Sequence, residues 1–79
     1  MARTGTAEKI IDALGLKCPL PVLLARRALA EARPGAMIIL HADDPLAKID
    51  LPAFCRREGH ALISVETSVK GQIFRIRKA

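Results

Sequence analysis

Of the residues able to do chemistry in this 79-residue chain, Cys18 stands in the most suggestive surroundings. It follows the turn Leu14-Gly15-Leu16-Lys17 and precedes Pro19-Leu20-Pro21. Proline is favoured at the first helical position, because its missing N–H would be unpaired there anyway. A helix is therefore predicted to start at Pro19, with Cys18 at or beside its N-cap. Ser, Thr, Asp or Asn usually fill that place, so a cysteine there points to a sulfur wanted for its chemistry. A helix start carries unpaired N–H groups and partial positive charge, both of which favour a thiolate. An ordinary thiol with a pKa near 8.5 is only about 3% ionised at pH 7, so a modest shift would matter. Pro19 and Pro21 moderate the effect by removing two amides, which leaves those of Leu20, Val22 and Leu23. The expectation is a rigid, exposed and mildly activated thiol.

Several other chemistries fit less well. A Cys-x-x-Cys oxidoreductase needs a resolving cysteine three positions on, and Pro21 stands there. Zinc needs about four ligands at workable spacings, whereas Cys18, His41, Cys55 and His60 fall on separate elements. A cysteine hydrolase needs a general base and oxyanion donors, and His41 and His60 read more simply as strand-end residues. There is no glycine-rich phosphate loop. Cys55 falls on the apolar stripe of a helix, where a free cysteine behaves as a small buried hydrophobe. What remains is a thiol that carries a group and hands it on, with no metal and no cofactor implied.

The elements that position Cys18 follow from the hydrophobic pattern. Residues 8–13 read as a short strand ended by the Leu14-Gly15 turn. Val22, Ala25, Leu29 and Ala32 recur at spacings of three and four, opposite Arg26, Arg27 and Glu31, so a helix runs from Pro19 to about Ala32. Arg33-Pro34-Gly35 stops it. Met37 to Ala42 is a near-continuous apolar run, as expected of an interior parallel strand. Asp43-Asp44-Pro45 signals a second helix start, with a further cap at Asp50 before Leu51-Pro52. This helix is expected to begin irregularly, to settle after Asp50 with Leu51, Phe54 and Cys55 on one face, and to stop at Gly59. Residues 61–67 and 72–78 form a hairpin, with Ile63, Val65, Phe74 and Ile76 turned to the core and Ser64, Arg75 and Arg77 to water. The predicted fold is α+β, a two-layer α/β sandwich of order β-α-β-α-β-β, with a four-stranded mixed sheet carrying both helices on one face.

Length allows one domain, over residues 8–79, after a flexible N-terminal tail at 1–7. No apolar run approaches the roughly 18 residues needed to span a membrane, and residues 1–7 lack the apolar core of a signal peptide. Two cysteines without a secretion signal fit a reducing compartment, so the chain is expected to be soluble and cytoplasmic. The net charge of +5 is spread over several elements and reads as a solvated, partner-steering surface. Contact with RNA phosphates is the alternative use of that field. With Phe54 and Phe74 as the only aromatics, a base-stacking platform is absent and direct nucleic-acid binding is not expected.

Asp12-Ala13-Leu14-Gly15-Leu16-Lys17-Cys18-Pro19-Leu20-Pro21 resembles the signature of the TusA/SirA family of small sulfur carriers. The likeness continues through Asp43-Asp44-Pro45, Asp50-Leu51-Pro52 and Phe54-Cys55, and covers the chain from about Lys9. The resemblance implies a sulfurtransferase that acts as a carrier. Cys18 would take sulfane sulfur as a persulfide from a cysteine desulfurase or rhodanese-type donor and pass it to a downstream acceptor protein. In the family this supplies 2-thiouridine formation in tRNA, and some relatives serve molybdenum-cofactor assembly or sulfur oxidation. Asp12 and Gly15 are expected to shape the turn, Asp12 by bonding backbone amides and Gly15 by taking positive φ. Pro19 and Pro21 support the motif, and Lys17, Leu20, Arg26 and Arg27 are candidate partner contacts. Two other readings stay open: a non-catalytic RNA- or protein-binding regulatory module, and a redox sensor forming mixed disulfides at Cys18. The plait also resembles the C-terminal domain of translation initiation factor 3, but fold alone does not assign function.

Overall fold

A computed structural model describes residues 8–79; the tail expected at residues 1–7 lies outside the described residues. The chain runs through β1 (Glu8–Ala13), α1 (Leu20–Glu31), β2 (Met37–Ala42), α2 (Ala47–Glu58), β3 (Ala61–Ser68) and β4 (Gly71–Arg77). The order is the expected one. In space the strands lie β1-β2-β4-β3, with β1 parallel to β2 and β4 antiparallel to both of its neighbours. β2 and β3 thus point the same way, and the returning hairpin strand is inserted between them. Both helices cover one face, and the two-layer mixed-sheet architecture holds as expected.

The core lies between that face and the helices. Ile38, Leu40 and Ala42 of β2 and Phe74 and Ile76 of β4 alternate inward to meet Ala25, Ala28 and Leu29 of α1 and Leu51, Phe54 and Cys55 of α2. β2 is interior, but it is parallel on one side only, and its other face is uncovered. Met37, Ile39 and His41 there are half-buried, which is why burial alternates along a nearly continuous apolar run.

The β3 register departs from simple alternation. Leu62 pairs with Ile76, and Ser64 with Arg75, so Ile63 is the extra residue of a β-bulge. A bulge shifts the side-chain phase by one position. Leu62 therefore packs against the core, while Ile63 is 45% exposed and Val65, on the edge strand, 43% exposed. The expected inward placement of Ile63 is corrected accordingly. Val65 pairs with Phe74 and shares its core-facing side, exposed because β3 is the edge strand, and Phe74 and Ile76 are inward as expected. Ser64 and Arg75 are half-buried on the uncovered face, and Arg77 is exposed.

Helix ends explain the loop shapes. Gly59 ends α2 at φ 79°, and the His60 amide reaches back to the Cys55 carbonyl at 2.9 Å. The Lys78 ammonium donates to the Leu29 carbonyl at 2.6 Å, placing a cation at the C-terminal end of α1, where unpaired carbonyls collect. The first amides of α2 bond three residues back, Ala47 to Asp44 at 2.9 Å and Ile49 to Leu46 at 3.0 Å, before Asp50 bonds Leu46 at 2.8 Å. The start is irregular as expected, yet α2 is continuous from Ala47. Asp50 lies in its first turn and does not cap it.

The bulge can be tested by truncating neighbours. Leu62→Ala should cost about 2 kcal/mol in denaturant unfolding, as for a partly buried core leucine, and Ile63→Ala less than about 1. Equal losses would contradict the assigned register.

Candidate functional site

β1 and β2 are parallel neighbours in register, Ala13 beside Ala42, so the loops leaving them start side by side. Crevices of this kind, beyond the carboxyl ends of parallel strands, are where α/β folds place their functional groups. The first loop carries Gly15 and Cys18. The second carries Asp43 and Asp44, and it leads into α2 with Asp50.

Four carboxylates shape this end of the molecule. Asp12 Oδ1 accepts the Leu14 amide at 3.0 Å, an Asx turn of the kind expected, and Gly15 takes φ 82°. Space around Gly15 is open, so its positive φ, not crowding, calls for glycine there. The Gly15 amide donates to both Asp43 oxygens, at 3.0 and 3.1 Å. The Cys18 amide donates to Asp44 Oδ2, while Asp44 Oδ1 accepts the Leu46 amide at 3.1 Å. Asp44 is only 5% exposed, so it ties the two loops together from beneath. Its two backbone hydrogen bonds, with smaller help from Lys17, hold its carboxyl below the usual range. Gly71 supports the arrangement from β4. A side chain there would meet the Ala42 carbonyl at 2.4 Å and Asp43 Cα at 3.0 Å.

The thiol itself differs from expectation. α1 starts at Leu20 with Pro19 as its cap residue, so Cys18 sits one residue before the cap, and the Cys18–Pro19 peptide bond is cis. The Leu20 amide donates to the Lys17 carbonyl at 2.8 Å, and the Leu23 amide to Pro19 at 3.1 Å. Neither is free to hold a thiolate. Instead the exposed Cys18 thiol donates to Asp50 Oδ2 at 3.0 Å. That hydrogen bond raises the Cys18 pKa, with desolvation and the charges of Asp50 and Asp44 acting in the same direction. The predicted activation by the helix end is thus overturned: a carboxylate in contact outweighs a screened dipole whose Leu20 and Leu23 amides are already engaged.

The remaining candidates are dispersed. Cys55 is buried in the core and burial pushes its thiol up. His41 lies on the uncovered sheet face, flanked in register by Asp12 and Ile73. His60, beyond the far end of α2, accepts the Ala79 amide on Nδ1 at 3.0 Å, with its ring 6.0 Å from that of Phe54. Among the described residues no group of three or more His, Cys, Asp or Glu is placed to hold a metal ion. Pro21 is buried in the first turn of α1. Lys17, Leu20, Arg26 and Arg27 are exposed; Arg27 meets Glu31 at 3.7 Å, a surface pair of small energetic weight.

Sequence reasoning read Asp43, Asp44 and Asp50 as helix caps and so missed their bonds to Gly15 and Cys18. It also missed the exposed apolar rim of Leu23, Leu46 and Ile49, which with Leu20 surrounds the two helix starts. Exposed leucines inside amphipathic helices carry no sequence signal separating rim from core.

A small α/β plait with one exposed cysteine among loop-binding carboxylates is the class of protein that fold and site define. The chain belongs to the TusA sulfurtransferase family, whose model, described as "Sulfurtransferase TusA", matches residues 9–78. It is similar to the crystal structure of a SirA-like protein from Desulfitobacterium hafniense, with 29% identity and a TM-score of 0.76, covering 90% of this chain and 96% of that one. Among the described residues no helix is long and apolar enough to cross a membrane.

The Asp44 tie carries a pH signature. Its carboxyl is depressed in the fold, so its contribution is complete above the ordinary carboxylate pKa of about 3.9 and is lost as pH falls through the lower folded value. Protection of the Cys18 and Leu46 amides, taken relative to the intrinsic exchange rate at each pH, should fall in that acid window. In Asp44→Asn, protection there should already be low at neutral pH and change little on acidification. Protection at Cys18 unaffected by Asp44→Asn would contradict the tie.

Proposed function

We propose that this protein is a sulfur carrier in which Cys18 accepts sulfane sulfur as a persulfide and delivers it to an acceptor protein. The observation that carries the reading is one exposed thiol, fixed by its own backbone amide to buried Asp44, with the second cysteine shut inside the core. A carrier needs an accessible sulfur at a defined position. It also needs no neighbouring thiol that would resolve the persulfide early.

The transfer step balances without an added oxidant. Cys18 Sγ, as thiolate, forms a bond to the outer sulfur of the donor's persulfide. The donor's S–S bond breaks, its electron pair stays on the donor cysteine, and the proton lost by Cys18 ends on that cysteine through solvent. Delivery is the same exchange with Cys18 as the leaving sulfur.

A cysteine desulfurase or a rhodanese-type protein is the donor class this chemistry needs. Family membership supports tRNA 2-thiouridine formation as the leading destination, with molybdenum-cofactor assembly and sulfur oxidation as alternatives. Free thiols fit a reducing cytoplasm. Lys17, Leu20, Arg26 and Arg27 would contribute to docking, since they are exposed on α1 or the loop before it.

After incubation with a desulfurase and cysteine, intact-mass spectrometry should show a gain of one sulfur atom that dithiothreitol removes. Cys18→Ser should abolish the gain and Cys55→Ser should keep it; loading that survives Cys18→Ser would overturn the proposal. Reversing Arg26 and Arg27 to Glu should slow loading by the donor protein several-fold, and less so at high salt, as expected of steering charges. Alkylation of Cys18 by iodoacetamide should not change in that variant.

A further inference from the structure

Asp50 has no part in the transfer step, yet among the described residues it is the one side chain bonded to the reacting sulfur. Its Oδ2 stands 3.0 Å from Cys18 Sγ and accepts the thiol proton. It lines a shallow groove between the start of α1 and one face of α2, with Pro19, Val22, Ala53 and Arg57. We infer that Asp50 is a proton lock, whose carboxylate keeps Cys18 as a thiol while the carrier is free and so makes it inert toward small electrophiles and disulfides. The inference rests on the reading of Cys18 as the carrying sulfur.

The groups around the sulfur favour this direction. From α2, Asp50 bonds the thiol; from the loop after β2, buried Asp44 adds a second negative charge. Lys17, beside Cys18 in its own loop, and Arg57, in the groove, are the nearby cations, and both are exposed to solvent screening. α1 contributes only the uncharged Pro19 and Val22 to the groove, and its Leu20 and Leu23 amides are taken. Among the described residues no hydrogen bond is donated to Cys18 Sγ, whereas a carboxylate oxygen accepts its proton.

A locked thiol suits a carrier. Thiolates, not thiols, react with disulfides and electrophiles, so the free protein would cross a thiol-rich compartment without forming mixed disulfides. Reaction would then depend on a docked partner that neutralises or displaces Asp50. The same contact acts on the loaded state, because a leaving sulfur of higher pKa departs more slowly. The inert resting thiol also speaks against the redox-sensor reading, which needs a low-pKa sulfur.

The test uses the full chain in a Cys55→Ser background, so that Cys18 alone reports. Thiolate absorbance and the iodoacetamide rate are followed against pH, neither of which needs a sulfur donor. Persulfide carriage could therefore fail while the lock stands, or the reverse. Wild-type Cys18 should titrate above the same cysteine in the denatured chain. Asp50→Asn should bring the midpoint down, and Asp50→Glu should leave it raised. Each unit of fall gives about tenfold more thiolate at pH 7 and, after the loss of intrinsic nucleophilicity, about threefold faster alkylation. A faster alkylation in that proportion to the fall is expected of Asp50→Asn. A midpoint unchanged or higher in Asp50→Asn would overturn the lock. Should that variant not fold, a wild-type midpoint at or below that of the denatured chain would overturn it equally.

Discussion

The hydrogen bond from the Cys18 amide to Asp44 is the contact on which the functional end depends. It joins the loop after β1 to the loop after β2 through a buried carboxylate that also holds the Leu46 amide. Asp43 repeats the connection one residue earlier, at Gly15. Beside these ties, the segment from Leu14 to Pro19 is held by Leu16, which packs against the core, and by the Leu16 amide bonded to the Ala13 carbonyl at 3.2 Å. With them, a thiol on an exposed loop keeps a fixed position relative to the sheet, which is what pre-organised transfer requires. The sheet contributes by register: Ala13 lies beside Ala42, so the two loops begin as neighbours. Gly71 contributes by absence, since any side chain there would collide with the Ala42 carbonyl.

Position and reactivity are set by different acids. Asp43 and Asp44 bind backbone amides, which fixes geometry, while Asp50 binds the sulfur's own proton. A helix start is usually invoked to activate a cysteine. Here the Leu20 and Leu23 amides are engaged, with Lys17 and Pro19, and the sulfur meets a carboxylate instead of an activating donor. Position and activation are thereby separated. On the proposed reading, the fold presents the sulfur and a docked partner makes it reactive.

Much of the fold was legible because its signals are local. Helix stripes, the Gly35 and Gly59 stops and the apolar β2 run each depend on neighbours in sequence, and each appears where expected. The β3 bulge was not legible. Ile63 and Val65 alternate as a regular strand would, and only pairing with β4 shows that Leu62, not Ile63, shares the inward side with Val65. At the site, the Asx turn at Asp12 and positive φ at Gly15 were readable for the same local reason. The partners of Asp43, Asp44 and Asp50 were not, since these residues lie 26 to 32 positions from the groups they bind. An aspartate near a helix start satisfies a local capping rule whatever it binds in space.

The sequence alone determined that Cys18 is the residue of interest, that Cys55 belongs to the core, and that the elements alternate as β-α-β-α-β-β. Those conclusions rest on periodicity, turn chemistry and proline geometry, which act over a few residues. Tertiary structure alone decided the protonation of the sulfur. A thiol's charge answers to whatever lies within a few ångströms, and here that is a carboxylate delivered by the second helix from 32 residues away.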